Sequence, residues 1–132
     1  MEKDVVLLDT SILIEYFRKK DKAKSQLVGL SKKALKLKVS SITKYEILVG
    51  SNQNQSKFWE DFFEFTEVLP FDSGSAEIAA QIVKKLKASN KLIDMADILI
   101  ASVAIRNEVS LATLNKKHFQ RIEFLDLFQL NE

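Results

Sequence analysis

Val5-Val6-Leu7-Leu8 is an unbroken apolar run that stops dead at Asp9. A strand with one wet face alternates polar and apolar residues, whereas an all-apolar run is covered on both faces, as in a parallel sheet with helices above and below. That segment asks for a layered α/β fold, and the rest of the sequence complies. Further short strands are predicted at 39–41, 67–70, 110–113 and 123–125, the third of these just ahead of Asn115. Helices are predicted at 10–17, with Thr10-Ser11 as cap, at 22–37, from Thr43 onward, and at 55–65, 73–87, 95–107 and 116–119. The second of these places Leu27, Leu30, Ala34 and Leu37 at helical spacing. Strands alternating with helices imply right-handed crossovers. The expected architecture is a three-layer α/β/α sandwich with a central, mainly parallel sheet of about four to five short strands, in a single domain over 1–132.

Composition bounds the function classes. With 132 residues and 46% hydrophobic content the chain can bury a core without the disulfides that its lack of cysteine denies it. Absence of cysteine fits a reducing compartment. No apolar run approaches the roughly 20 residues that cross a bilayer, and Met1-Glu2-Lys3-Asp4 lacks the basic start of a secretory signal. A cytoplasmic protein without a membrane partner is expected. The net charge of +2 is uninformative, but it conceals an asymmetry: residues 17–38 hold nine Lys and Arg against Asp21 alone. Such a run is either a solvated helix face or a cationic rim for a phosphate backbone, and composition does not choose.

In open α/β sheets a ligand lies outside the carboxyl ends of the strands. Asp9 directly follows the first strand, Glu46 lies one turn into the helix after the second, Asp94 and Asp97 open the helix near Met95, and Asn115 follows the strand at 110–113. Acids from distant segments can thus converge at one sheet edge, where their repulsion calls for a cation, and hard oxygen donors select Mg²⁺ or Mn²⁺. Each acid also has a structural reading. Asp9 could cap a helix. Glu46, flanked by Tyr45, Ile47 and Leu48 in a helix that reads as substantially buried, needs a basic partner or a metal. Asp94 and Asp97 suit a helix N-terminus.

Four segments taken in order resemble the PIN-domain family, most closely VapC-type toxin ribonucleases of toxin–antitoxin pairs: Leu7-Leu8-Asp9-Thr10-Ser11-Ile12-Leu13-Ile14, Ser41-Ile42-Thr43-Lys44-Tyr45-Glu46-Ile47-Leu48-Val49-Gly50, Met95-Ala96-Asp97-Ile98-Leu99-Ile100-Ala101-Ser102-Val103-Ala104, and Leu111-Ala112-Thr113-Leu114-Asn115-Lys116-Lys117-His118-Phe119. The resemblance implies an endoribonuclease using Mg²⁺ or Mn²⁺. It carries Asp9, Glu46 and Asp97 over as the metal-holding acids. Asn115 stands where the family has a fourth acid. Ser11 and Thr113 match hydroxyl positions beside the first and fourth, where they would bond carboxylates or water. Asp94 lies outside the motif, as a neighbour of the site or a competitor for the third position. The resemblance further implies a homodimer and a small VapB-like antitoxin that blocks the acidic pocket.

Lys116 and Lys117 could contact RNA phosphate, as could Lys19 and Lys20 on the basic run. His118, the sole histidine, reads as structural or surface rather than as a catalytic base. Phe58, Trp59, Phe62, Phe63 and Phe65 read first as core packing, with a groove for an antitoxin helix as the alternative. A haloacid-dehalogenase-type phosphatase would need a second aspartate where Ser11 stands, and a receiver domain an acid pair that is not evident. A noncatalytic PIN-fold module binding RNA or protein remains open because of Asn115.

Overall fold

The structure, a computed structural model, describes residues 4–33 and 35–130. In chain order it comprises β1 (Val5–Leu8), α1 (Thr10–Arg18), a 3-10 turn (Lys22–Lys24), α2 (Gln26–Ser31), β2 (Lys36–Ser40), α3 (Ser41–Gly50), α4 (Ser56–Phe65), β3 (Glu67–Leu69), α5 (Ser73–Ala88), α6 (Met95–Arg106), β4 (Ser110–Ala112) and α7 (Lys116–Phe119). The four strands form one sheet in the order β3-β2-β1-β4, with every pairing parallel.

All four side chains of β1 are fully buried, and they alternate between two cores. Val5 and Leu7 join Ala79, Ile82 and Leu86 of α5 and Ile98, Ala101 and Val103 of α6 on one face. Val6 and Leu8 join Ile12 and Leu13 of α1, Leu30 of α2 and Trp59 and Phe63 of α4 on the other. The period-2 geometry of a strand turns one apolar run into the centre of a three-layer sandwich. Each fully buried Val or Leu contributes about 1.5–3 kcal/mol to the hydrophobic driving force.

Three expectations need correction. The helix expected over 22–37 breaks into the 3-10 turn, α2 and the start of β2, with Ala34 outside the described residues. Ser25 stops the turn and caps α2, its Oγ accepting from Val28 N at 3.3 Å. β2 then begins at Lys36 as an inner strand between β1 and β3, and Lys38 pairs with Glu67 directly across on β3 at 3.2 Å. The strand expected at 123–125 is a turn: Phe124 lies at φ 67° and 88% exposed, and only Leu127 bridges to Leu111 beside β4. The helix carrying Glu46 starts at Ser41 rather than Thr43, and it is not substantially buried. It buries Thr43 and Ile47 while Tyr45, Leu48 and Val49 face solvent. Among the described residues no helix is long and apolar enough to cross a membrane.

Candidate active site

The carboxyl ends of β1, β2 and β4 meet at one edge of the sheet, and Asp9 sits in the middle of it. Its N–H donates to Ala112 O at 2.9 Å, which joins the ends of β1 and β4. Asp9 holds the N-cap position of α1, yet its side chain makes no capping bond. Oδ2 accepts instead from Ser11 Oγ at 2.8 Å and from Thr113 Oγ1 at 2.7 Å. Both hydroxyls are themselves fixed from the loop after β4: Leu114 N donates to Ser11 Oγ at 3.1 Å and Asn115 N to Thr113 Oγ1 at 3.0 Å. Backbone donors orient the two hydroxyls, and the hydroxyls orient the buried carboxylate.

Glu46 has a second hydroxyl set. Thr10 Oγ1 donates to Glu46 Oε1 at 2.7 Å and also lies 3.0 Å from the buried Thr43 Oγ1. Ser40, the N-cap of α3, accepts from Thr43 N at 3.1 Å and donates to Thr43 Oγ1 at 3.3 Å. The sequence marked Thr10 and Thr43 only as helix-start residues, and none of Thr10, Thr43 and Ser40 as part of the site. The signal was there: Thr10 adjoins Asp9, and Thr43 precedes Glu46 by three residues, one helical turn on the same face.

Asp97, in the first turn of α6, is held differently. Burial, then the negative charges of Asp9 and Asp94, push its carboxyl up from 3.8 to about 6, against an opposing pull from His118. His118 Nδ1 lies 3.6 Å from Asp97 Oδ2, so this histidine belongs to the site's margin, which its sequence context did not indicate. Asp94 holds the N-cap position of α6 without a capping bond. Asn115 occupies the same position on α7, again without one, and opens a cleft of about 450 Å³ whose rim includes Thr113, Lys116, Lys117 and His118.

The structure therefore brings Asp9, Ser11, Thr113 and Asn115 together, with Asp97 and Asp94 close enough to Asp9 or to each other for their charges to act. Glu46 joins through Thr10. Among the described residues, no three His, Cys, Asp or Glu side chains are grouped closely enough to hold a metal ion. The donor chemistry nevertheless suits a hard cation: carboxylates dressed by hydroxyls, and one acid pushed upward first by burial and then by the neighbouring charges of Asp9 and Asp94, which His118 only partly offsets.

The basic candidates separate. Lys116 and Lys117 line the cleft beside Asn115. Lys19 and Lys20 lie past the far end of α1, about 14 Å along its axis from Asp9, and Lys19 is 3.9 Å from Glu15. Lys22 is committed to structure: its Nζ donates to the carbonyls of Tyr16, Phe17 and Lys19 at 2.9–3.0 Å and caps α1. The aromatic residues of α4 divide too. Trp59 and Phe63 are buried, Phe58 and Phe62 edge a groove with Tyr16 and Leu27, and Phe65 is exposed.

Residues 6–125 match the family model described as PIN domain. Ribonuclease VapC1 of Methanocaldococcus jannaschii is 36% identical over 123 residues, covering 92% of this chain and 84% of that protein. Ribonuclease VapC1 of Rickettsia felis is 30% identical over 135 residues, covering 96% of each. In three dimensions the chain resembles DNA-bound VapBC from Salmonella typhimurium, at TM-score 0.82 and 25% identity over 97% of this chain and 98% of that one. It also resembles VapBC-1 from nontypeable Haemophilus influenzae, at TM-score 0.81 and 26% identity over 95% and 97%.

Proposed function

The chain belongs to the PIN-domain family, and from that premise we propose that it is a VapC-type toxin: an endoribonuclease that hydrolyses RNA phosphodiester bonds with Mg²⁺ or Mn²⁺. The observation that carries the reading is the acid set at the sheet edge, in which Asp97 is held near Asp9 and Asp94 with its carboxyl pushed up to about 6. Asp9, Glu46 and Asp97 would hold the ion, with Asp94 beside them. The chemistry such an ion supplies when bound is to acidify a water and offset charge building on the phosphate. The chain's own residues do the rest. Ser11 and Thr113 hold the Asp9 carboxylate in one orientation, Thr10 does so for Glu46, and Asn115 offers a neutral amide toward the cleft. Lys116 and Lys117 attract the phosphate chain into it.

The partners follow from two apolar surfaces. Tyr16, Leu27, Val28, Phe58 and Phe62 line a groove of about 300 Å³ between α1, α2 and α4, which suits an apolar segment of a VapB-like antitoxin. Tyr45, Leu48 and Val49, exposed together on α3, suit a homodimer contact. The deciding experiment incubates the purified chain with RNA. Cleavage lost in EDTA and regained with Mg²⁺ or Mn²⁺ supports the nuclease. Asn115, neutral where the family carries an acid, favours the rival reading of a noncatalytic PIN-fold module that binds RNA or protein, and RNA left intact under every metal condition would establish it.

A further inference from the structure

A cavity of about 250 Å³ opens beside Glu46, between α1, α3 and the start of α4. Its walls are apolar, from Ile14, Phe17, Ile47 and Trp59, the last two almost wholly buried. Polar groups stand where it opens. Gln55 exchanges two bonds with Asn52: its N–H donates to Asn52 Oδ1 at 3.1 Å, and its Oε1 accepts from Asn52 N at 3.2 Å. That exchange fixes the amide plane and leaves Nε2 without a partner among the described residues. Arg18 is exposed on the lining and makes no ion pair among the described residues.

We infer that this cavity is a nucleobase subsite, taking one unstacked base of the RNA next to the scissile phosphate. The inference rests on the ribonuclease reading and adds to it a source of sequence preference. A phosphate is a poor occupant, because Glu46 forms part of the wall. An aliphatic group would leave the Gln55 amide and Arg18 unused. A base is flat and uncharged, its faces suit Phe17 and the aliphatic walls, and its edge carries acceptors for Nε2 of Gln55. The guanidinium of Arg18 meets the adjoining phosphate or stacks on the ring. Lys116 and Lys117 follow β4 whereas Glu46 and Gly50 follow β2, the two strands that flank β1 and its Asp9, so a single strand crossing the site has phosphate contacts on one flank and a base pocket on the other.

Gly50 supplies the test, since it lines the cavity and a Cβ built there meets no atom within 4 Å. A side chain at this exposed helix end narrows the cavity without a clash. Wild type, Gly50→Phe and Gln55→Ala are each given a randomised RNA library with Mn²⁺, and the new ends are sequenced. The expected result is a base bias at one nucleotide flanking the cut in wild type. Both variants flatten it by about tenfold at that position alone, with KM for the preferred RNA rising. A bias unchanged in both variants, or no flanking bias in a wild type that does cleave, overturns the subsite while leaving the nuclease reading intact. No cleavage by wild type under any metal condition instead removes the nuclease reading itself. If Gly50→Phe leaves the bias untouched but prevents binding of an inhibitory polypeptide, the cavity belongs to that protein and the inference fails.

Discussion

Asp72 and Asp9 hold the same position on their helices, each an aspartate at an N-cap, and use it in opposite ways. Asp72 accepts from Ser75 N and Ser75 Oγ, both at 2.8 Å, so it caps α5, and these bonds together with Arg106 lower its pKa. Asp9 gives α1 nothing from its side chain, and both hydroxyls that reach it serve to aim one oxygen at the sheet edge. Asp94 on α6 also declines to cap. Helix-start acids that forgo the bond their position offers are the mark of this edge, and the stabilisation they forgo is what leaves their charge available.

The widest separation should come from the two aspartates themselves. Asp9→Asn is expected to cut metal-dependent RNA cleavage by at least about 100-fold with the thermal midpoint little changed. Asp72→Asn should lower the midpoint and leave cleavage in place. The deficit of Asp72→Asn has a defined pH range. A lowered carboxylate pKa stabilises the fold above the unfolded value and loses that contribution as pH falls through the folded one, so variant and parent midpoints should converge in acid.

Asp97 sharpens the contrast in the other direction. Its pKa is raised in the fold, so the folded state binds the proton more tightly, and stability falls as pH rises from about 4 to about 6, the window set by its ordinary and folded values. Asp97→Asn should abolish cleavage and yet stabilise the metal-free protein by about 1–2 kcal/mol at pH 7.5, a figure discounted for partial solvent screening. At pH 3.5 calorimetry should find no gain. A loss of stability at pH 7.5 would mean that the Asp97 charge is compensated after all.

Smaller effects probe what holds Asp9. Thr113→Val keeps shape and removes the 2.7 Å donor, which should slow cleavage by about tenfold, with Thr113→Ser restoring most of the rate. Lys116→Ala with Lys117→Ala should reduce the salt slope of RNA binding by about 1–2, as measured by anisotropy over a salt series. An unchanged slope would return these lysines to the solvated surface.

The central strand was legible because its four residues carry a signal that both faces reinforce. β2 was legible only at its carboxyl end: its first residues, Lys36 and Leu37, read as the end of a helix, whereas they open the strand, and the next lysine, Lys38, finds Glu67 across a strand pair. The expected strand at 123–125 failed because two apolar residues, Phe124 and Leu125, look the same in a turn that exposes the first of them. At the site, Ser11 and Thr113 entered only through the family resemblance, whereas Asp9 and Asn115 were visible from their places after strands, because topology alone delivers strand ends to one edge. The network of Thr10, Thr43 and Ser40 was not, since each hydroxyl is an ordinary helix-start residue until the fold shows which acid it touches.

The bond from Thr113 to Asp9 spans 104 residues, and β4 pairs with β1 although the whole of the sheet's other half is made between them. Order of synthesis therefore matters. Asp9, Glu46 and Asp97 are all translated before the loop after β4, and until that loop emerges Asp9 lacks Thr113 and the backbone donors that fix Ser11. A chain still being made holds the acids but not the device that aims them. An incomplete product released from the ribosome before residue 113 would lack β4's closing loop and with it the hydroxyl and backbone donors that orient Asp9.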